Sequence, residues 1–213
     1  MSEAHFVAAA MANRVAHTVH GIVSAVDPVN HAVKVRVQPE NVETGWIADA
    51  AFAQAGDLRI ACPSAVGTHV VLQPLEGDGE HFVLAGVVYD TVMAAPVSPW
   101  TGAVAQPGEI LVMAGCGAPP AAGSAGENAG ESAGEATPGA GWLHVTAAGV
   151  FLGAGGTRVA VSASGLACVA GAASLTFDSS GLVVSGGDVR TDLHSLNGHV
   201  HPLGGQVTGG PQG

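Results

Sequence analysis

Residues 32–38 read "AVKVRVQ": Val33, Val35 and Val37 alternate with Lys34 and Arg36. That period of two predicts a strand with one buried face. The turn sequence "DPVN" precedes it, and residues 22–26 are again rich in aliphatic side chains. Residues 22–26 and 32–38 are therefore expected to form a hairpin. "GTHVVLQPL" and "HFVLAGVVYD" follow as two more strands, joined by the turn sequence "EGDGE". About five short strands over residues 21–95 suit a small closed barrel of the OB-like kind. A short helix is expected over residues 4–19, within an N-terminal segment of residues 1–20, although no strong cap marks its start. Residues 108–115, "GEILVMAG", predict one further strand.

From Trp142 the pattern repeats. "WLHVTAAGVFLGAGGT" begins at Trp142, "RVAVSASGLACVAGAA" at Arg158 and "SLTFDSSGLVVSGGDV" at Ser174, an offset of 16 at each step. Gly149, Gly165 and Gly181 align. So do Leu143, Val159 and Leu175, then Val145, Val161 and Phe177, then Val150, Leu166 and Leu182, then Leu152, Cys168 and Val184. Thr146, Ser162 and Asp178 open the aligned turns. Such self-similarity marks a repeat architecture. Each copy is expected to be strand, turn, strand, with its glycine at positive φ. The apolar stripe is too thin to enclose a core in one chain. Residues 142–193 therefore predict an intertwined β-prism or β-helix stem, most simply a trimer. The alternative is a single-chain β-solenoid, which ordinarily needs more repeats and caps.

The repeat also accounts for the 19 uncharged residues between Arg158 and Asp178, which approach transmembrane length. Their large apolar side chains alternate with small ones, as strands require. Residues 116–141 differ: Ala, Gly, Ser, Pro and Glu recur in low complexity, predicting a flexible loop within a 96–141 connection that also starts the stem.

Composition narrows the possible partners. The formal charge is −11, with six Lys+Arg against 17 Asp+Glu, and no basic residue lies between Arg59 and Arg158. No basic patch is available to neutralise nucleic-acid phosphates or to dock on anionic lipid. Aromatic residues make up 4% of the chain and there are 32 glycines. That suits a thin or multi-chain structure better than a large single core. The cysteines Cys62, Cys116 and Cys168 form no CxxC and are expected to be small buried hydrophobes in a reducing compartment. No basic-then-apolar leader is recognisable at the N-terminus.

The last stretch, "NGHVHPLGGQVTGGPQG", places His199 and His201 one residue apart among glycines and prolines. In extended chain, residues i and i+2 point to one side, with Val200 facing the other. On a threefold axis two imidazoles per chain make six nitrogens, enough for an octahedron. Structural Zn²⁺ sites disfavour that geometry, whereas imidazole also suits Fe, Ni and Cu. A closed six-ligand site leaves no position for water, so it is structural rather than catalytic. Leu203 and Val207 are candidates for an apolar plug beneath it. His194 is out of step with the pair and is expected to face outward or cap. His144, between Leu143 and Val145, is expected to face solvent. No Ser-His-Asp or paired-carboxylate motif is readable, so no enzyme activity and no small-molecule substrate are expected.

Three features occur in this order: the barrel stretches "RVAHTVHGIVSAVDPVNHAVKVRV", "TGWI" and "CPSAVGTHVVLQPLEGDGEHFVLAGVVYD", the repetitive stem, and "NGHVHP" with "GGQVTGGP". Together they resemble the phage baseplate assembly protein V family, the central spikes of contractile-tailed phages. The resemblance runs from about Arg14 to Gln212 and breaks at residues 116–141. It implies an all-β homotrimer with an N-terminal OB-fold seated on the baseplate hub protein. It also implies a triple-stranded β-helix stem, and an apex (residues 194–213) where His199 and His201 bind a metal, thought to be iron as Fe²⁺. The implied place is the tail baseplate tip of a virion, made in the host cytoplasm, and the implied act is mechanical piercing of the host outer membrane. The alternatives are a hub or assembly adaptor that does not pierce, a spike of a phage-derived bacteriocin or secretion-like contractile machine, and a small β-barrel metalloenzyme using the histidines.

Overall fold

The computed structural model describes residues 17–50, 52–76, 81–90, 92–118, 135–192, 194–207 and 209. These residues are all-β, with no helix among them. No helix long and apolar enough to cross a membrane occurs among them either. The chain divides into two compact units, one built from the described residues up to Ala95, the other from Pro96–Cys116 and the described residues from Thr137 onward.

The first unit contains β1 (Val19–Asp27), β2 (Ala32–Val37), β3 (Val42–Glu43), β4 (Ile47–Ala48), β5 (Ala53–Ala55), β6 (Leu58–Ile60), β7 (His69–Pro74) and β8 (Phe82–Val87). The helix expected over residues 4–19 falls outside the described residues except at its end, where Val19 already begins β1. The expected hairpin is β1–β2. Its turn is held by Asp27, whose Oδ1 accepts the amides of Val29 and Asn30 at 3.1 Å each. An antiparallel sheet runs β3-β2-β1-β7-β8, with β4 paired to β2 and lying against β8. Alternation decides what goes inside. Val33 and Val35 are fully buried with Val23, Val70 and Leu72. Lys34 and Arg36, on the opposite face of β2, reach the Glu43 carboxylate at 3.5 and 3.9 Å. Bulges at Ser24 in β1 and Ala85 in β8, where one residue is left out of the register, bend these strands over this core. β5 and β6 form a separate two-stranded hairpin with Leu58 and Ile60 exposed.

The second unit holds β9 (Ile110–Met113), β10 (Trp142–Thr146), β11 (Gly149–Ala154), β12 (Thr157–Ser162), β13 (Gly165–Ala170), β14 (Ala173–Asp178) and β15 (Gly181–Ser185), then the small pair β16 (Pro202–Leu203) and β17 (Gln206–Val207). β9 to β15 form one antiparallel meander in which every strand pairs with its neighbours in sequence. The aligned apolar columns become two cross-strand rows. One runs Ile110, Val145, Val150, Val161, Leu166, Phe177, Leu182; the other Val112, Leu143, Leu152, Val159, Cys168, Leu175, Val184. Directly paired residues share a face, so both rows lie on one side of the sheet, and each is unbroken across seven strands. That face is largely uncovered in the single chain: Val161, Phe177 and Leu182 are 48, 56 and 59% exposed.

The repeat turns are built as the sequence expects. Thr146 Oγ1, Ser162 Oγ and Asp178 Oδ1 each accept an amide two residues on, from Ala148, Ser164 and Ser180, at 3.0, 3.3 and 2.7 Å. Gly149, Gly165 and Gly181 follow at φ of 152°, 138° and 122°. Bonds from the Ser180 hydroxyl and amide hold the Asp178 carboxyl below its ordinary value. The cysteine expectation is corrected in part: Cys62 and Cys116 are exposed and only Cys168 is partly buried.

A Cβ on Gly165 would stand 2.3 Å from the Phe177 carbonyl oxygen, whereas one on Gly156 meets nothing within 4 Å. Gly165→Ala is therefore expected to destabilise the protein by more than about 1 kcal/mol in chemical denaturation. Gly156→Ala is expected to stay within about 0.5 kcal/mol of the parent. Equal stability of the two variants would contradict the turn geometry.

Candidate metal centre

After β15 the chain folds into a compact loop before reaching the histidine pair. Arg190 and Ser195 form a β-bridge. The Thr191 amide donates to the His194 carbonyl at 2.8 Å, the Leu196 amide to the Val189 carbonyl at 2.9 Å, and the His194 amide to Thr191 Oγ1 at 3.1 Å. Asp188 spans the loop: its Oδ2 accepts the Ser195 hydroxyl at 2.5 Å and its Oδ1 the Asn197 amide at 3.3 Å. Ser195 Oγ in turn accepts the Gly198 amide at 2.9 Å. The Ser195 hydroxyl is the first cause holding the Asp188 carboxyl below its ordinary value; the Asn197 amide and the Arg190 charge add to it. A depressed carboxylate contributes its stability above the ordinary range, and that contribution is lost as pH falls through the folded value.

His199 and His201 come together as expected. Their ring centroids are 5.1 Å apart at an interplanar angle of 89°. The pair precedes β16 rather than lying within a strand. His199 Nδ1 lies 2.7 Å from the Leu196 carbonyl oxygen. A carbonyl only accepts, so Nδ1 carries the proton and Nε2 keeps the lone pair. Metal-bound histidines commonly have this arrangement, the second ring nitrogen being tied to a carbonyl or carboxylate. The donor set thus fits an imidazole-preferring cation, with His199 and His201 as the residues that would hold it. It is incomplete in one chain, since among the described residues no three His, Cys, Asp or Glu side chains converge to hold an ion.

The pair opens on a groove of about 470 Å³ that Val200, His194, Arg190 and Thr191 also line. His194 is exposed, as anticipated, but shares the groove. Val200 contributes to it as well, so the two faces are less separated than an ideal strand would make them. The glycines of "LGG" have a local reason. Gly204 and Gly205, at φ of 52° and 87°, form the two-residue turn between β16 and β17, which requires positive φ at both positions. Val207 is exposed in the single chain, and the Leu203 side chain, Gly210 and Pro211 lie outside the described residues.

Two histidine clusters escaped the sequence reading. His69 Nδ1 pairs with the Asp90 carboxylate, whose Oδ1 also accepts the amides of Val92 and Met93 at 2.8 Å each. The second corrects the expectation for His144. That residue points away from the apolar rows, yet it is fully buried rather than solvent-facing. The Ser98 hydroxyl lies 2.9 Å from its Nδ1 and Glu109 Oε2 lies 3.2 Å from its Nε2. Ser98 Oγ already takes the amides of Trp100 and Thr101, at 3.2 and 3.4 Å. Its O–H therefore donates to Nδ1, and Nε2–H donates to Glu109, which also accepts the Gln106 amide at 2.8 Å. Serine, histidine and an acid stand in line, but Ser98 and His144 are both at zero exposure, so no substrate reaches the hydroxyl. The cluster anchors the loop of residues 96–108 to β10. Trp100 completes the anchor by stacking on Phe151, with centroids 4.4 Å apart, under the Arg158 guanidinium at 5.9 Å. No local spacing signals it, because the three residues are drawn from positions 98, 109 and 144.

The fold defines an all-β protein whose antiparallel repeat sheet is followed by a loop that pairs two imidazoles. Comparison with protein-family models and with curated proteins gives no match.

Removing His144 strands the buried Ser98 hydroxyl and the half-buried Glu109 carboxylate. His144→Ala is expected to cost about 1–3 kcal/mol in thermal or chemical denaturation. It should also speed amide exchange at Thr101 and Gly102 while leaving metal content unchanged. Parent-like stability and exchange would contradict the anchor.

Proposed function

We propose that this chain is the structural central spike of a contractile-tail baseplate and works as a homotrimer. The observation that carries the reading is the pair of unbroken apolar rows on β9–β15, open in one chain. Strands lie about 4.8 Å apart, so each row is about 29 Å long, and the stripe is only two side chains wide. Contiguous apolar surface of that size marks an interaction face. Burying each Val, Leu or Phe there contributes about 1.5–3 kcal/mol. Three such stripes turned to one axis make a narrow closed core, which is the stem of a spike.

The first unit is read as the OB-like barrel that seats on the hub protein. Its bulged β1 and β8, and the approach of β4 to β8, support closure of the sheet. Three chains supply six imidazoles from His199 and His201. A metal held there, iron by the family resemblance, supplies a cross-link between chain ends and no reactive position. The chain's own residues do the rest. The repeat rows transmit axial load, and the apex loop keeps the ends from fraying. The chain is net negative, and so are bacterial envelopes. Penetration is therefore driven by sheath contraction rather than by affinity.

Light scattering with elemental analysis tests both halves of the proposal. The expected mass is three times the 20.8 kDa of one chain, with one metal per three chains. Val161→Asp is expected to prevent trimer formation. Joint replacement of His199 and His201 by alanine is expected to remove the metal, keep the trimer and reduce penetration by assembled particles. A monomer with exchangeable metal would overturn the spike, and metal loss with unchanged penetration would overturn the hardened tip.

A further inference from the structure

We infer that Asp188 and Ser195 are positioning residues for the His199 imidazole, setting through the Leu196 carbonyl which ring nitrogen is offered to a metal. The inference rests on the proposed metal-binding role of His199, but its geometry stands alone. Asp188 bonds the Ser195 hydroxyl and the Asn197 amide, so one carboxylate grips the turn of residues 195–198 at two points. Ser195 Oγ takes the Gly198 amide and closes that turn from within. Between these fixed points lies Leu196, whose amide is tied back to Val189. The Leu196 carbonyl shares its planar peptide with the Asn197 amide that Asp188 holds, so it cannot rotate freely, and it is aimed at His199 Nδ1 at 2.7 Å.

The consequence is chemical. A neutral imidazole in solution exchanges its proton between Nδ1 and Nε2. Here the carbonyl requires Nδ1–H, which leaves Nε2 as the lone-pair donor and holds the ring in one orientation. Without the Asp188 grip the turn is free to open and the carbonyl moves. The ring then pays an ordering cost when a metal binds. Outer partners of this kind typically change metal affinity 10–100-fold. The relay also gives Asp188 and Ser195 a role that the histidine spacing alone does not call for.

The test uses the full-length chain labelled with ¹⁵N-histidine, Co²⁺ as the probe, and Asp188→Ala, Asp188→Asn and Ser195→Ala as variants. In the metal-free parent, long-range ¹H–¹⁵N spectra are expected to show His199 as the Nδ1–H tautomer. In Asp188→Ala the Nε2–H form is expected to appear and Co²⁺ affinity to fall about tenfold. Asp188→Asn keeps an acceptor oxygen and is expected to restore most of both signals. Should Asp188→Ala fail to assemble, Ser195→Ala removes the hydroxyl half of the grip and leaves the Asn197 bond, and a smaller change in the same direction is expected of both signals. Parent-like tautomer and affinity in the assembled variants would overturn the relay. No Co²⁺ binding by the parent would overturn the metal role of His199, while the tautomer comparison would still decide the relay.

Discussion

The repeat sheet depends on an even count. Each strand from β11 to β14 has six residues and each connecting turn has two, so the half-repeat is eight residues long. Side chains alternate with a period of two along a strand, so an even half-repeat returns every apolar position to the same face. One inserted or deleted residue would send the following half-repeat's Val and Leu side chains to the opposite side. The turns protect that count. Thr146, Ser162 and Asp178 cap alternate turns through their side chains, and the glycine after each takes the backbone where a Cβ would meet the neighbouring strand's carbonyl at Gly149 and Gly165.

The same alternation has opposite outcomes in the two units. In β2 it drives Val33 and Val35 to zero exposure, because β1, β7 and β8 bend over them and supply Val23, Val70, Leu72 and Leu84. In β12 it leaves Val161 half exposed, because among the described residues the meander has no second layer on that side. An all-β chain so poor in aromatic residues fills its core with small aliphatic side chains. That is sufficient when a sheet bends over itself. For a sheet that does not, a further layer is needed to cover the face, and the proposed trimer would supply it.

Polar side chains do the local fixing at both ends of the second unit. At the start, His144 is locked between Ser98 and Glu109 and pins the 96–108 loop to the sheet. At the end, Asp188 and Ser195 shape the loop that presents His199. The two devices are alike: a side chain with donors or acceptors on two sides joins backbone segments that the strand ladder does not reach. They differ in cost. Buried His144 must keep both bonds, because a lost one leaves a desolvated polar atom. The bonds of Asp188 and Ser195 are exposed, so water can replace them, and their effect is more on orientation than on stability.

Much was legible in the sequence. The hairpin β1–β2, the pair β7–β8, strand β9, all three repeats and their turn glycines follow from periods of 2 and 16, and the proximity of His199 and His201 follows from their spacing. These are local properties, carried by the alternation of the backbone and by the few residues that tolerate a turn. Which face of a strand is covered is not local. His144 reads as the solvent-side residue of an alternating strand, and it is buried only because a loop about 40 residues earlier in the chain folds over it. The exposure of Cys62 and Cys116, the pairing of His69 with Asp90, and the grip of Asp188 on the 195–198 turn likewise depend on segments brought together after the strands form. Alternation sets the direction in which a side chain points, and tertiary packing decides what it meets there.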